Sequence, residues 1–583
     1  MRVLLVHPED SPRSGPWARQ SWDLIVDLGR SSRFSAQEWS EQYGCPVLRT
    51  DSLRQGIADA KRVRQIFSIG RGRLLDEEGL DWWDLTSLLI VPEALSLLAL
   101  ERVAAEISPS AELWATRPGW PASTLAALAG RTCHSFGQSA WARSAARALH
   151  YAAFVKRFSA AQIKEIFLDK YDAGYRWRSY LAAKPKRCSD PVVLLPSAYG
   201  NVSRTGSAYA RLLPQQSFLM VATRQGAKQF APPANVQVRD LAAYAQAEPA
   251  AREMASLTEH WFELRAELDS TPESRMFSQA GLLEAFPGWI RDGIGARNAW
   301  SEVIEREPVC GVLCGDDSNL YTRLPVLLAA RRKIPTVDFH HGAFDGRYLL
   351  KELACDLYLA KNEMERDYLS RICGLPSARI MIGAPPGVAC AAKGPGLEEG
   401  GSAIFFSEPY ESAGMRADEV YREILPALCR VAGEHGRNVI LKLHPFENRS
   451  QRSRMIRDVL SSADQRLVTV RDGPLTNELL SKAWFGITVE STTVMDCLES
   501  GICCFLCGWL TLSLYEYMQQ FSRFGVGEVL QSAEQISEAP RRLEEFRNRR
   551  ATAPSLSQPV DPAMLQRWLT SGLYEPSGAR SAT

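Results

Sequence analysis

Short apolar or β-branched runs alternate with stretches of helical period along almost the whole chain, and this alternation constrains the fold more than any single motif. The first third carries VLLVH (3–7), DLIVDL (23–28), LLIVPE (88–93) and ELWAT (112–116) as expected strands, then a helical stretch over 138–184. A second group begins at PVVLLPSAYGNVSRTGSAYARLLP (191–214) and continues through FLMVAT (218–223), VCGVLC (309–314), IPTVDF (334–339) and CDLYLA (355–360). A third contains AIFFSEPY (403–410), VILKLH (439–444), LVTVRD (467–472), FGITV (485–489) and CCFLCG (503–508). Helical stretches separate most of these runs. The expected fold class is therefore α/β, with Rossmann-like units built on mainly parallel sheets.

A chain of 583 residues is too long for one core, since domains hold about 100–200 residues. The runs divide it into an N-terminal Rossmann-like α/β region with a helical connector (1–185), a second unit (186–392) and a third (393–552). The third unit starts in the Gly-rich stretch KGPGLEEGGS (393–402), which reads as a linker. A Ser-, Pro- and Ala-rich tail (553–583) is expected to be partly mobile.

Composition excludes several classes. Lys and Arg number 68 against 67 Asp and Glu, a net charge of +1, without the basic excess of a dedicated nucleic-acid binder. Thirteen cysteines are scattered without framework spacing, which predicts reduced thiols in a cytoplasmic protein. Cys504 and Cys507 form a CxxC inside an apolar run with no second pair, so buried thiols are expected there. The most apolar window, Leu85 to Leu100, contains Pro92 and Glu93 and falls short of the roughly 20 residues of a membrane span. It reads as a strand, a break and a helix. Any membrane contact is then peripheral, through basic runs such as 331–333 or 541–550 touching anionic headgroups.

Ligands of parallel α/β sheets bind beyond the carboxyl ends of the strands, so the residues after each strand are the candidates. Lys442 and His444 alternate to one side of VILKLH before Pro445 turns the chain. Both can donate to a phosphate, and His444 can protonate a leaving phosphate; a solvated lysine beside a structural histidine is the plainer reading. Ser491, Thr492 and Thr493 follow FGITV where a helix should begin, and Gly501 stands where it should stop. Such a terminus can bind an anion, although hydroxyls there are also ordinary caps. Glu490 and Glu499 can meet a ribose or a base, or stay solvated. Asp316 and Asp317 in GDDSN can supply a general base, and His340, His341 and Gly342 in HHG can bind an anion or an acceptor sugar. A metal site is not expected there, because no second histidine pair accompanies the aspartates. IGRGR (69–73) lacks the third glycine of a dinucleotide fingerprint, and no GxxxxGK[ST] occurs.

LKLHP followed by VESTTVMDCLESG resembles the HP and Ser/Thr-rich motifs of cytidine-nucleotide-dependent GT-B glycosyltransferases of bacterial surface polysaccharide synthesis. That group includes sialyl-, polysialyl- and Kdo transferases and CDP-glycerol glycerophosphotransferases. The resemblance covers about residues 190–530. It implies two Rossmann-like domains, residues 186–392 on the acceptor side and 393–552 on the nucleotide-donor side. It implies that His444 and the 491–493 hydroxyls hold the donor phosphate. It also implies an acidic base, for which Asp316 or Asp317 is the nearest match, although the glycine precedes the pair here. The expected activity is transfer of a sugar, a CMP-activated ulosonic acid in the first reading, to a surface glycan or lipid-linked acceptor. No cofactor or metal is called for. Transfer of an alditol phosphate from a CDP donor is the alternative enzyme, and a catalytically inactive scaffold the alternative of another class. The implied location is cytoplasmic, at the inner face of the plasma membrane.

Overall fold

The computed structural model describes residues 1–8, 10–29, 33–137, 164, 167–169, 171–228, 230–246, 251–340, 347–385, 401–413, 415–444, 447–473, 475–510, 515–550 and 558–571. His341, Gly342 and Pro445 lie outside them, as does most of the expected helical connector.

The described strands form three sheets in which every ladder is parallel. The first contains β1 (Arg2–Val6), β2 (Leu24–Asp27), β3 (Val47–Arg49), β4 (Glu112–Ala115) and β5 (Cys133–Ser135), in the order β3-β2-β1-β4-β5. The second contains β6 (Val192–Ser197), β7 (Ser217–Ala222), β8 (Val236–Asp240), β9 (Val309–Cys314), β10 (Thr336–Phe339), β11 (Leu357–Ala360) and β12 (Ile380–Ile382). Their order is β12-β11-β10-β9-β6-β7-β8. The third contains β13 (Ser402–Phe406), β14 (Val439–Lys442), β15 (Val468–Arg471), β16 (Ala483–Thr488), β17 (Cys504–Cys507) and β18 (Glu528–Leu530), in the order β15-β14-β13-β16-β17-β18. Renumbered within itself, each sheet winds outward from its first strand and then reverses, which is the doubly wound Rossmann order. The reversal falls between β1 and β4, between β6 and β9, and between β13 and β16.

Both faces of such a sheet are covered, so its strands are apolar on alternate sides. In β1, Val3 and Leu5 enter one buried cluster, while Leu4 and Val6 enter another with Trp17, Trp22 and Trp39. Parallel strands buried on both faces read as continuous apolar runs, and for this reason the strands were visible in the sequence.

Two compact units cut across chain order: residues 1–59, 95–139 and 390–555 in one, residues 60–94, 140–389 and 556–583 in the other. In the second, Arg297 pairs at 2.8 Å with Asp76 and also pairs with Glu253, all buried, and the Trp82 indole donates to Asp76 at 2.9 Å. These bonds build residues 60–94 into the body that carries the second sheet. The helix Pro562–Ser571, in the segment expected to be a tail, packs on the same sheet through Leu565, Trp568 and Leu569. Gly311 in β9 permits this, because a Cβ there would lie 2.0 Å from the Leu569 carbonyl oxygen.

The expected strand at LLIVPE is instead a turn, Leu88–Ile90, leading into the helix Val91–Glu106. Pro92 in the first turn suits a helix start. Ala94, Leu97, Leu98, Leu100 and Val103 are all buried, so the helix is apolar nearly all round and its period is hidden. Among the described residues, no helix is long and apolar enough to cross a membrane.

Candidate functional site

The third sheet brings the HP and Ser/Thr segments to the carboxyl ends of neighbouring strands. β14 ends at Lys442, two residues before His444. β16 ends at Thr488, and the chain turns through residues 489–492 into the helix Thr493–Glu499. β13 lies between them in the sheet. The reversal point, where adjacent connections leave to opposite faces and open a crevice, lies between β13 and β16.

One loop, Ser407 to Glu411, ties the two segments together. The Ser407 hydroxyl donates to Glu447 Oε1 at 2.8 Å. Glu447 Oε2 accepts the His444 backbone N–H at 2.7 Å, and Oε1 also accepts Arg452 Nε at 2.7 Å. Arg452 closes a fork on Glu411, at 2.6 and 2.7 Å. On the other side, Glu408 Oε1 accepts from the Thr488 hydroxyl at 2.9 Å, from Val489 N–H at 3.1 Å and from Glu490 N–H at 3.0 Å. His444 and the 488–490 turn are thus each fixed by a carboxylate, and both carboxylates answer to the loop after β13.

The electrostatics follow from burial. His444 is held below the usual imidazole value, first by burial and then by the Lys442 charge. It is therefore neutral at pH 7 and can both accept and donate. Burial pushes Glu447 up against the pull of the His444 N–H and Arg452. Glu408 is pushed up to about 7, mainly by burial, with the Glu490 charge adding to it and three donors opposing it.

Lys442 makes two bonds to the backbone around it. Its ammonium is buried and donates to the carbonyl oxygens of Leu443 and Gly473, both at 2.7 Å. Two of its three donors therefore fasten the loop after β15 to the end of β14. Ser491 Oγ accepts Thr493 N–H at 3.3 Å, and Thr493 Oγ1 is buried with no hydrogen-bond partner among the described residues. The Thr492 hydroxyl at the N-cap makes no capping bond to the helix Thr493–Glu499, which is only seven residues long. Glu490 joins this cluster through its N–H. Glu499 lies at the other end of the helix, about 9 Å away at 1.5 Å per residue, and is not brought to the strand ends. Gly501 has φ +73°, the left-handed conformation expected of a helix stop.

The remaining candidates are in the second sheet. Asp316 follows β9 at the reversal point between β6 and β9 and is half-buried. Its Oδ1 accepts Ser318 N–H at 3.1 Å, and Asn319 bridges to Tyr199 after β6 at 3.0 Å. Asp317 points into the interior, paired with Lys351 and 3.8 Å from Arg323, which reaches Asp84 at 2.8 Å. His340 is buried at the end of β10, edge-on to Tyr348. Asp317, Asp338 and Cys355 present possible metal-ligand atoms within 4.8 Å of one another. Burial and the neighbouring Asp317 charge raise Asp338 well above the carboxylate range. Lys351 and Arg323 stand beside Asp317 in this cluster. Cys504 and Cys507 are buried in β17 three residues apart, and strand alternation sends them to opposite faces.

The sequence reading missed Ser407, Glu408, Glu411, Glu447 and Arg452. Two acidic residues directly after an apolar strand, in FFSEPYE, were the available signal.

No family model and no curated protein matches the chain. Solved structures similar to it include the S. aureus MnaA protein with UDP, 13% identical, covering 65% of this chain and 94% of that one, with TM-score 0.42. Others are a UDP-GlcNAc 2-epimerase from Neisseria meningitidis bound to UDP-GlcNAc (12%, 62% and 95%, 0.37) and the Streptomyces glycosyltransferase SsfS6 (13%, 65% and 99%, 0.33).

Proposed function

We propose that the chain is a nucleotide-sugar-dependent glycosyltransferase of the GT-B type whose donor phosphate is held by the third sheet. One observation carries this reading: His444 after β14 and the 488–493 turn after β16 flank the end of β13 beside the reversal point of a doubly wound sheet, and the loop after β13 holds the first through Glu447 and the second through Glu408. A side chain fixed in advance at a strand end loses little on meeting a developing charge. In this reading the donor phosphate favours the charged form of His444, which takes up a proton from solvent on binding and gives that proton to the phosphate as the glycosidic bond breaks. The Ser491, Thr492 and Thr493 hydroxyls hold the same phosphate, and Thr493 Oγ1 lacks a protein partner. Lys442 sets the loop geometry and adds a positive field. Asp316 takes the proton of the acceptor hydroxyl, and Asp317 keeps its strand end in place through Lys351. His340, His341 and Gly342 belong to the acceptor side.

The finer assignment rests on the HP and Ser/Thr motifs. The donor is a cytidine-activated sugar, first a CMP-ulosonic acid, and the acceptor is a surface glycan or a lipid-linked one at the inner face of the plasma membrane. Thermal stabilisation by CMP, CDP, UDP and GDP tests this in wild type and in His444→Ala. Stabilisation by CMP or CDP that is lost in the variant supports the assignment. A response to CDP alone favours alditol-phosphate transfer. A response to UDP or GDP overturns the cytidine donor, and no response overturns the enzyme.

A further inference from the structure

In the reading above Glu408 only braces the 488–490 turn, yet it occupies the centre of the site. It follows Ser407 at the end of β13 and reaches across the reversal point to β16. There three donors converge on its Oε1: the hydroxyl of Thr488 and the N–H groups of Val489 and Glu490. Consecutive backbone N–H groups converging on one point form a concavity that attracts anions. Glu408 fills it from within the protein, which fixes the turn entering Ser491–Thr493.

The charge state of Glu408 then matters to any phosphate that comes near. The groups facing it are the Glu490 carboxylate in the turn, the Tyr410 hydroxyl in its own loop and the Cys507 thiol at the end of β17. Tyr410 and Cys507 are both raised well above their ordinary values by burial and are neutral at pH 7. A protonated Glu408 keeps its carbonyl oxygen for the three donors and presents no charge. An ionised Glu408 holds the same turn but adds a negative charge beside the phosphate.

We propose that Glu408 is a positioning residue of the donor site, that it holds the 488–490 turn in either charge state, and that phosphate binding selects its neutral form. Binding then draws one proton from solvent onto Glu408 when the free protein has lost it. This inference rests on the donor-site reading above. Its titration near 7 puts the effect in the neutral range, where affinity weakens as pH rises.

Glu408→Gln keeps the carbonyl oxygen and removes the charge, whereas Glu408→Ala removes the acceptor. CMP, CDP and UDP affinities are measured by calorimetry from pH 6 to pH 8 for the three proteins. Comparing wild type with Glu408→Gln at each pH cancels the titration of the nucleotide and of His444. The two are expected to match near pH 6. Above 7 the wild type should weaken relative to Glu408→Gln, by up to about tenfold per pH unit. Glu408→Ala should bind more weakly throughout, and hydrogen exchange over 488–493 should accelerate in it but not in Glu408→Gln. Parallel pH curves for wild type and Glu408→Gln overturn the proton linkage. Unchanged exchange in Glu408→Ala overturns the positioning role. A wild type that binds none of the nucleotides overturns the donor-site reading and the phosphate half of this one, while exchange still decides whether Glu408 holds the turn.

Discussion

Replacing Glu447 by Gln should cost far more than an isosteric change suggests. Glu447 Oε1 accepts from Ser407 and Arg452, and Oε2 accepts from the His444 N–H. A glutamine can offer its carbonyl oxygen to only one of these sides. If the oxygen faces Arg452, its NH₂ meets the His444 N–H, donor against donor. If it faces His444, the NH₂ meets Arg452, which is 3% exposed and keeps only Glu411 as a charge partner. Breaking a buried ion pair by removing one partner costs about 3–5 kcal/mol. At roughly 2–4 °C per kcal/mol for a body of a few hundred residues, the melting step of the unit carrying the third sheet should fall by on the order of 10 °C. Differential scanning calorimetry reads this directly, with the melting step of the second sheet's unit as an internal reference. Nucleotide affinity should fall with it, because the His444 turn loses its anchor. A variant within about 2 °C of wild type, with unchanged affinity, would refute the claim that this carboxylate organises the site.

Asp316→Asn should leave the fold intact and lower turnover by about 10²–10⁴-fold, whereas Asp317→Asn should lower the melting temperature through the lost partner of Lys351; reversed effects in kinetics and calorimetry would exchange the two roles. Lys442→Met should destabilise by about 1–3 kcal/mol by orphaning two carbonyls, with a smaller effect on nucleotide affinity than His444→Ala; the opposite ranking would restore Lys442 as a direct phosphate ligand. His444 sits below 6.5 in the free protein, and a bound phosphate favours its charged form. Nucleotide binding near pH 6 should therefore take up a proton through His444, seen as a dependence of the calorimetric enthalpy on buffer ionisation that His444→Ala reduces. Glu408→Gln should be more stable than wild type at pH 8 by no more than about 3 kcal/mol, the value of moving a carboxyl from 4.5 to about 7. A raised carboxyl contributes stability when protonated and loses it as pH rises through 7, so this advantage should vanish toward pH 4.

The central strands were legible because parallel strands covered on both faces are almost uniformly apolar, as VVLLPS, FLMVA and AWFGIT are. The short edge strands Val47–Arg49, Ile380–Ile382 and Glu528–Leu530 were not. Each has only three residues, too few to show a period of two. Leu85–Leu100 misled for the opposite reason, since a helix buried all round has no polar face to mark its turns. Spatial assignment was harder still. Nothing local in residues 60–94 announces that Asp76 and Asp84 are partners of Arg297 and Arg323, more than two hundred positions away.

The same limit explains what was visible of the site. A strand-end rule finds His444 and the 491–493 hydroxyls because their chemistry is written in their own side chains. It cannot rank Glu408 or Glu447, whose chemistry is set by partners up to 82 positions distant. Without those partners, SEPYE reads as a solvated acidic turn. With them, one loop after the first strand of the third sheet holds both arms of the proposed anion site: Ser407 and Glu411 through Glu447 and Arg452, and Glu408 directly. That arrangement makes a specific demand on evolution of the site. His444 and Ser491 can change with the ligand, but Glu447 and Glu408 are each tied to three donors at once, so neither can change without disturbing several bonds together.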